Sequence, residues 1–309
     1  MDHAITSSSS LSDPKLPPEL ERIVFEFTAL LHPTAIPRLM LIAWRVKYWV
    51  EPLFYRVVVV SFFRAQLRPK VVGLPTWTAD VFLEQIEKRK PSFFHVVRHL
   101  FLGYAPTTVP ISTVDTILGA CPRVTNLFAH GQSASVTSLS GLKFLRHLTI
   151  TADVLFQPVI PFSAPLFFNL THLELLDGAF LTIDIHTIWE HISGIPHLTH
   201  IAFNSTSITD LTPTLTRENT QIKCIVYLFG IDEDDDDDFD MEHFRPLAED
   251  TRFVCIQQSD WRLDWLRGAA ATMGDDYWTL AEVFIAAKVA GKIDRSRFFI
   301  VDTDQSWRR

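Results

Sequence analysis

The residues of this sequence best suited to chemistry are histidines that recur at one position of a short repeated unit. Together with one asparagine they form the series His99, Asn126, His147, His172 and His200. Imidazole is the commonest metal ligand in proteins, so one interpretation is a metal site. If each unit is a β-strand, however, the rings stand in parallel rows about 4.8 Å apart, whereas zinc requires four converging ligands. We therefore interpret the series as a polar binding surface and expect neither a metal nor a cofactor.

Other groups capable of catalysis do not occur in catalytic patterns. The three cysteines, Cys121, Cys224 and Cys255, are scattered and form no Cys-x-x-Cys pair, which argues against a disulfide framework and against a zinc site. We interpret Cys121, which precedes a proline turn, as a packing residue. The sequence contains no phosphate-binding glycine loop, no His-Glu-x-x-His and no Gly-x-Ser-x-Gly. We therefore expect that this protein is not an enzyme.

The histidine series belongs to six copies of a unit with the pattern apolar-x-x-apolar-x-apolar. The copies are separated by 27, 21, 25, 28 and 24 residues, and they begin at Val97, Val124, Leu145, Leu170, Leu198 and Ile222. This period matches leucine-rich repeats, in which about 20–29 residues form a strand and a return segment. Because no unit can bury its apolar face alone, we expect the strands to stack into one sheet with a continuous core.

Side chains alternate between the two faces of a strand, so the apolar positions and the histidine positions point to opposite faces. We expect the apolar positions to face the core, under return helices at 112–121 and 184–194 and a proline-rich loop at 152–165. The other, concave face would then be open to a protein partner. The predicted partner contacts on this face are His99, Phe101, Asn126, Phe128, His147, Thr149, His172, Glu174 and His200.

Residues 16–56 have the periodicity of three short helices. Prolines at positions 17 and 18 suit the first turn of a helix, where no amide hydrogen is needed. Apolar residues then recur at intervals of three to four, first from Leu20 to Leu31 and again from Leu39 to Leu53. Pro33 and Pro37 interrupt the pattern between the two stretches. We call this segment the hook.

The hook resembles the F-box, whose pattern is Leu-Pro-x-Glu-Leu, an apolar pair, a proline turn and a leucine-rich helix. The matching positions are Leu16, Pro17, Glu19, Leu20, Val24, Phe25, Pro33, Ile36, Leu39, Leu41, Ile42 and Ala43. The chain is especially similar to the F-box-like proteins that are numerous in mushroom-forming fungi, many of which carry leucine-rich repeats behind the hook.

This resemblance implies a substrate-receptor subunit of a Skp–cullin–F-box-type ubiquitin ligase. The hook would bind a Skp-family adaptor, and the concave face would bind the protein to be ubiquitinated. The implied adaptor contacts are Leu16, Pro17, Leu20, Val24, Phe25, Ile36, Leu39 and Ile42. The alternative is a leucine-rich-repeat interaction scaffold whose hook only caps the solenoid, because every repeat array needs capped ends.

Two further segments follow the repeats. The acidic run Asp232–Asp238 lacks the glycine and the terminal glutamate of an EF-hand, so we expect a solvated loop rather than a calcium site. Beyond it, strands at 252–256 and 298–301 and a helix at 277–289 predict a C-terminal cap.

Nine acidic residues lie between Asp232 and Glu242, which accounts for the net charge of −8 and leaves the rest of the chain nearly neutral. We therefore expect no nucleic-acid partner.

No apolar stretch is long enough to cross a bilayer, and the serine-rich start lacks the features of a signal peptide. We expect a cytoplasmic or nuclear protein with no membrane partner.

The predicted fold is α/β, a curved leucine-rich-repeat solenoid with an N-terminal three-helix F-box-like hook and an α/β C-terminal cap. The predicted parts are a disordered tail at 1–14, the hook at 15–56, the solenoid at 57–230, an acidic loop at 231–242 and the capping unit at 243–309.

Overall fold

The computed structural model of the 309-residue chain describes residues 16–63, 74–106, 108–131, 136–156, 163–176, 185–204, 221–230, 244–258, 261–270, 275–300 and 306–308. The predicted tail at 1–14 and the predicted acidic loop at 231–242 lie outside these residues. Among the described helices, none combines the length and the apolar character that a bilayer crossing requires.

The hook folds as three helices, as its periodicity predicts. Helix α1 spans Pro18–Leu31, α2 spans Ile36–Leu39 after a 3₁₀ turn at Pro33–Ala35, and α3 spans Trp44–Phe54. Proline at the first position and two glutamates in the first turn favour the start of α1, because the exposed amides there attract negative charge. The three helices enclose a small core that consists of Ala29, Ile36, Val46 and Val50.

An ion pair and an aromatic contact fix the hook internally and to the rest of the chain. Arg45 on α3 donates two hydrogen bonds, of 2.8 and 3.0 Å, to the carboxylate of Glu21 on α1. Just after α3, the ring of Tyr55 packs at 4.6 Å from Phe93 and 5.8 Å from Trp77. The contact with the body is therefore made by the C-terminal end of the hook.

Behind the hook, ten strands in the described part of the chain form one parallel sheet. The strands are β1 Val57–Ser61, β2 Thr76–Thr78, β3 His99–Leu102, β4 Asn126–Ala129, β5 His147–Thr151, β6 His172–Leu176, β7 His200–Phe203, β8 Cys224–Gly230, β9 Phe253–Gln258 and β10 Phe299–Ile300. Their order is β2, β1 and then β3 to β10 in sequence. All nine neighbouring pairs are parallel. The predicted α/β class and the six predicted repeat strands are confirmed.

The core lies on the face that carries the repeated apolar residues. Leu100 and Leu102 on β3, and their equivalents on β4 to β9, are buried there in one continuous cluster. The segments that cover this face include the helices α4 Ala79–Lys88, α5 Ile111–Ala120, α6 Val136–Ser140, α7 Ala152–Phe156, α8 Ile185–Ser193 and α9 Arg245–Ala248. The return helices predicted at 112–121 and 184–194 are α5 and α8. The loop predicted at 152–165 is wrong at its start, because α7 forms before the first proline of that segment.

The C-terminal unit contains the predicted strands, but its helices do not simply cap the end of the sheet. Strands β9 and β10 extend the sheet, while α10 Trp261–Ala270 and α11 Tyr277–Val289 lie on the face opposite the core. Asp276 caps α11, since its carboxylate accepts a hydrogen bond from the Thr279 amide. The chain therefore covers both faces of its sheet.

Candidate functional site

The predicted histidine series forms one row across the sheet. His99, Asn126, His147, His172 and His200 are the first residues of β3 to β7, and the strand register pairs each with the next. Two residues further along the strands lies a second row, which consists of Phe101, Phe128, Thr149 and Glu174. We call the face that carries both rows the histidine face.

Three of the imidazole rings are stacked along this row. The ring centroids of His147 and His172 are 4.0 Å apart, and those of His172 and His200 are 4.1 Å apart. The edge of Trp278 on α11 packs at 5.1 Å from His172. Parallel rings do not direct their nitrogens at a common point. Across the described residues, no three His, Cys, Asp or Glu side chains are grouped so as to hold a metal ion.

Burial keeps the stacked rings neutral. It lowers the pKa of His172 to about 2, with contributions from the neighbouring His147 and His200. Burial also lowers the pKa of His147 and that of His200. In the case of His200, the carboxylate of Glu282 opposes the shift, since its Oε1 lies 3.0 Å from the ring Nε2. The row is therefore an uncharged packing surface at neutral pH.

Helices α10 and α11, which we call the C-terminal helix pair, lie directly on these rows. Trp265 on α10 donates its indole hydrogen to Asn126 Oδ1 at 2.9 Å, and the Tyr277 hydroxyl on α11 donates to Glu174 Oε2 at 2.8 Å. These partners are 139 and 103 residues apart in the chain. Asn126 and Glu174 are thus hydrogen-bonded by side chains of the same protein.

The part of the histidine face near β3 and β4 is aromatic. Phe101 and Phe128 are stacked with centroids 4.4 Å apart, and Trp261 is stacked on both of them at 5.8 and 5.0 Å. The edge of Trp265 contacts Phe101 at 5.4 Å. Leu266 and Ala269 of α10 belong to the same apolar cluster. Two turns of α10 therefore seal this end of the face.

Eight of the nine predicted partner contacts on this face, all except His99, lie beneath or beside the C-terminal helix pair. Six of them are at most 8% exposed, namely Phe101, Asn126, Phe128, Thr149, Glu174 and His200. His99, His147 and His172 are half-buried. The prediction of an open surface is therefore wrong. The face has the predicted composition and register, but the C-terminal helix pair of the same chain covers it.

Glu174 is a buried carboxylate at the centre of this contact. It accepts hydrogen bonds from Thr149 Oγ1 at 2.7 Å and from the Tyr277 hydroxyl. Burial raises the pKa of Glu174 to about 6, although both hydrogen bonds favour the charged form. Burial and the neighbouring Glu174 raise the pKa of Tyr277 as well. The two hydroxyls replace part of the hydration that the carboxylate loses, as burial of a charge requires.

A small cavity remains between the helix pair and the sheet. Its volume is about 20 Å³, and polar groups of Asn126, His147, Asp264 and Asp276 contribute to its wall. A space of this size admits about one water molecule and no organic substrate.

The hook presents a different surface, which is apolar and exposed. Leu20 is 50% exposed, Val24 53%, Ile42 59% and Trp44 79%. Leu16 and Pro17 are exposed as well, so five of the eight predicted adaptor contacts lie on the surface. Trp44 is not among the eight predicted contacts. Four further exposed apolar residues of the hook that are not among them are Ile23, Phe27, Leu41 and Tyr48.

The other three predicted adaptor contacts belong to the internal core of the hook. Ile36 is buried in that core, and Phe25 and Leu39 pack against it while keeping part of their surface exposed. The prediction of direct contact is therefore corrected for Ile36, which has 1% of its surface exposed. Its apolar character is explained by the packing of α2 against α1 and α3.

The cysteines are packing residues. Cys121, Cys224 and Cys255 are buried and carry free thiols. Burial raises the pKa of Cys121 to about 12 and also raises the pKa of the other two. Since the thiolate is the reactive form, these thiols are poor nucleophiles at neutral pH.

No protein-family model matches this chain, and a search of curated proteins finds no match. Among solved structures, the chain is similar to a crystal structure of a TLR13–ssRNA13 complex, with a TM-score of 0.30 and 13% sequence identity. The similarity covers 56% of this chain and 22% of the TLR13 chain.

Proposed function

We propose that this protein is a non-enzymatic interaction protein in which an F-box-like hook binds a Skp-family adaptor and a leucine-rich-repeat body carries a protein partner to be ubiquitinated. The observation that carries the proposal is the exposed apolar surface of the hook. Soluble monomers rarely expose a contiguous apolar patch larger than a few hundred Å², and such patches mark binding sites.

The position of this surface favours docking over capping alone. The hook contacts the body through Tyr55, at the end that follows α3. The exposed residues lie instead on α1, in the turn after α2 and at the start of α3, and this contact does not use them. A cap needs only the first surface. The alternative, a repeat scaffold whose hook is only a cap, leaves the second surface without a role.

The apolar character of the surface defines the test. Complete burial of a side chain such as leucine is worth about 1.5–3 kcal/mol, so residues that are already half-buried contribute roughly half of that each. We expect Leu20→Asp with Trp44→Asp to abolish co-purification of the full chain with a Skp-family adaptor. Such an adaptor should bind the unmodified chain.

Ile111→Asp is the matched control. Ile111 is 58% exposed at the first position of α5, far from the hook in sequence, where a carboxylate is compatible with the helix N-terminus. This variant should bind the adaptor like the unmodified chain. If the intact, folded protein binds no Skp-family adaptor, the ligase proposal is wrong and the scaffold alternative remains.

The surface that holds the second partner must lie outside the histidine face under this proposal. The C-terminal helix pair occupies that face through several buried side chains and at least three polar contacts. We therefore expect the second partner to bind a surface that the fold leaves exposed.

A further inference from the structure

Basic residues are concentrated at the edge of the sheet where the parallel strands begin. Between positions 88 and 173 the sequence contains seven Lys or Arg and only two Asp or Glu. The residue immediately before the strand is arginine in β1, β3 and β5, namely Arg56, Arg98 and Arg146. In a parallel sheet these positions lie at the same edge, about 4.8 Å apart for each strand crossed.

Backbone contacts connect these arginines to one another. The Arg56 carbonyl oxygen accepts the amide hydrogens of Arg98 and His99, and the Arg98 side chain reaches the Arg123 carbonyl oxygen at 3.5 Å. The Arg98 carbonyl oxygen accepts the amide of Thr125, whose own carbonyl oxygen accepts that of Arg146. Four arginines therefore occupy one short stretch of the edge, which we call the arginine edge.

The arginine edge has no ion pairs among the described residues. In the part of the chain that the structure describes, no Asp or Glu forms an ion pair with any of its four arginines. The Arg98 guanidinium instead donates to the carbonyl oxygens of His95 and Val97. Exposed arginines elsewhere do find carboxylates, as Arg45 finds Glu21.

The arginine edge also contains two buried polar atoms without a hydrogen bond. Arg56 Nε and His99 Nδ1, which are both buried, have no hydrogen-bond partner among the described residues. An unpaired buried polar group is costly, and native structures usually satisfy such groups. These two atoms are shielded from solvent, so the exposed Arg123 and Arg146 are the members of the edge that a partner reaches first.

We propose that the arginine edge is an oxyanion-binding site for a protein partner, which presents either a phosphorylated side chain or a cluster of carboxylates. Guanidinium groups donate paired hydrogen bonds that match both phosphate and carboxylate oxygens. A nucleic acid is disfavoured as the ligand, because the chain has a net charge of −8 and the basic stretch extends over only a few strands. The site does not depend on whether the hook binds an adaptor.

The test measures peptide binding to the full chain by fluorescence anisotropy at 150 mM salt. One probe is a peptide with the acidic sequence of residues 232–238, and the other is a neutral peptide of the same length with a single phosphoserine. We expect Arg123→Gln with Arg146→Gln to weaken binding of the preferred peptide at least fivefold. Both side chains are exposed, so these changes leave the core intact.

Lys292→Gln with Arg295→Gln removes the same charge from an exposed turn elsewhere and should leave the affinity within twofold. Tighter binding of the phosphoserine peptide supports the proposal with phosphate as the ligand, and tighter binding of the acidic peptide supports it with carboxylates. Equal losses in both double variants overturn it, as does the absence of peptide binding or the binding of a single-stranded oligonucleotide alone. Adaptor binding, measured on the same variants, should not change, so failure here is separable from failure of the hook proposal.

Discussion

We expect the stacked histidines to make the folded protein sensitive to acid, and His172 is the residue in which this effect can be isolated. Its folded pKa is about 2, whereas an imidazole in the unfolded chain has its ordinary value of 6.5. Below pH 6.5 the unfolded chain therefore binds a proton that the folded chain excludes. Stability contributed by a neutral His172 is complete above pH 6.5 and is lost as the pH falls toward 2.

The size of this loss in folding free energy follows from how far the pH falls below the pKa of the unfolded chain while it stays above the pKa of the folded chain. One pKa unit corresponds to 1.36 kcal/mol, so a change from pH 7.5 to pH 5.0 costs at most about 2 kcal/mol at His172. Glu174 acts in the opposite direction, because burial raises its pKa to about 6 from 4.5. Its protonation in the folded state adds about 1 kcal/mol of stability at pH 5.0. The net pH response of the unmodified protein is therefore smaller than the contribution of His172.

Urea unfolding of the unmodified chain and of His172→Gln, each at pH 7.5 and pH 5.0, separates these contributions. Glu174 and the other histidines are present in both proteins, so their contributions cancel to first order. We expect the variant to lose about 2 kcal/mol less than the unmodified chain between the two pH values. His197→Gln, at an exposed position, should respond like the unmodified chain. If His172→Gln keeps the full pH response, the packed, neutral stack is not the source of the acid sensitivity.

Two substitutions in α11 test the C-terminal helix pair. Phe284→Ala should lower the free energy of unfolding in urea by about 3–5 kcal/mol, because the ring is fully buried. Val283→Ala, at a position that is 44% exposed, should lower it by well under half of that. Equal effects would contradict the packing of α11 on the sheet. Tyr277→Phe removes a hydroxyl donor from the buried Glu174, so we expect a loss of about 1–3 kcal/mol at pH 7.5 that shrinks at pH 5.0, where Glu174 is protonated in the folded state. A loss that does not depend on pH would show that the hydroxyl does not stabilise the carboxylate.

The sheet could be predicted from the sequence because its determinants are local and repeated. Each unit carries its own apolar positions, and alternation along a strand then fixes which residues share a face. Leu100 and Leu102 are buried as expected, and His99 and Phe101 point the other way. The row of histidines followed from the same alternation, without knowledge of any long-range contact.

The cover over the histidine face could not be predicted in this way. The contacts between Trp265 and Asn126 and between Tyr277 and Glu174 join residues more than one hundred positions apart, and no period of the chain encodes them. One signal was present in the sequence. Phe101 and Phe128 are large apolar residues at positions predicted to be open to solvent, and such residues usually require a cover.

The burial of the C-terminal helix pair decides which surfaces remain for partners. Trp265, Leu266, Tyr277, Trp278 and Phe284 are all less than 10% exposed, and at about 1.5–3 kcal/mol each their burial is worth on the order of 10 kcal/mol. That is comparable to the entire stability of a typical domain. A partner that displaced the pair would lose about seven powers of ten in affinity, since each power costs about 1.4 kcal/mol.

The two surfaces proposed for partners, the apolar surface of the hook and the arginine edge, are close to each other in the sequence. The hook ends at Phe54 with α3, and Arg56, the first member of the arginine edge, follows two residues later. A protein bound at the arginine edge would therefore be held beside the adaptor that the hook is proposed to bind. Such tethering raises the effective concentration of one bound protein near the other without further contacts. An interaction protein built in this way would need no open histidine face, so that face would be free to bury the C-terminal helix pair.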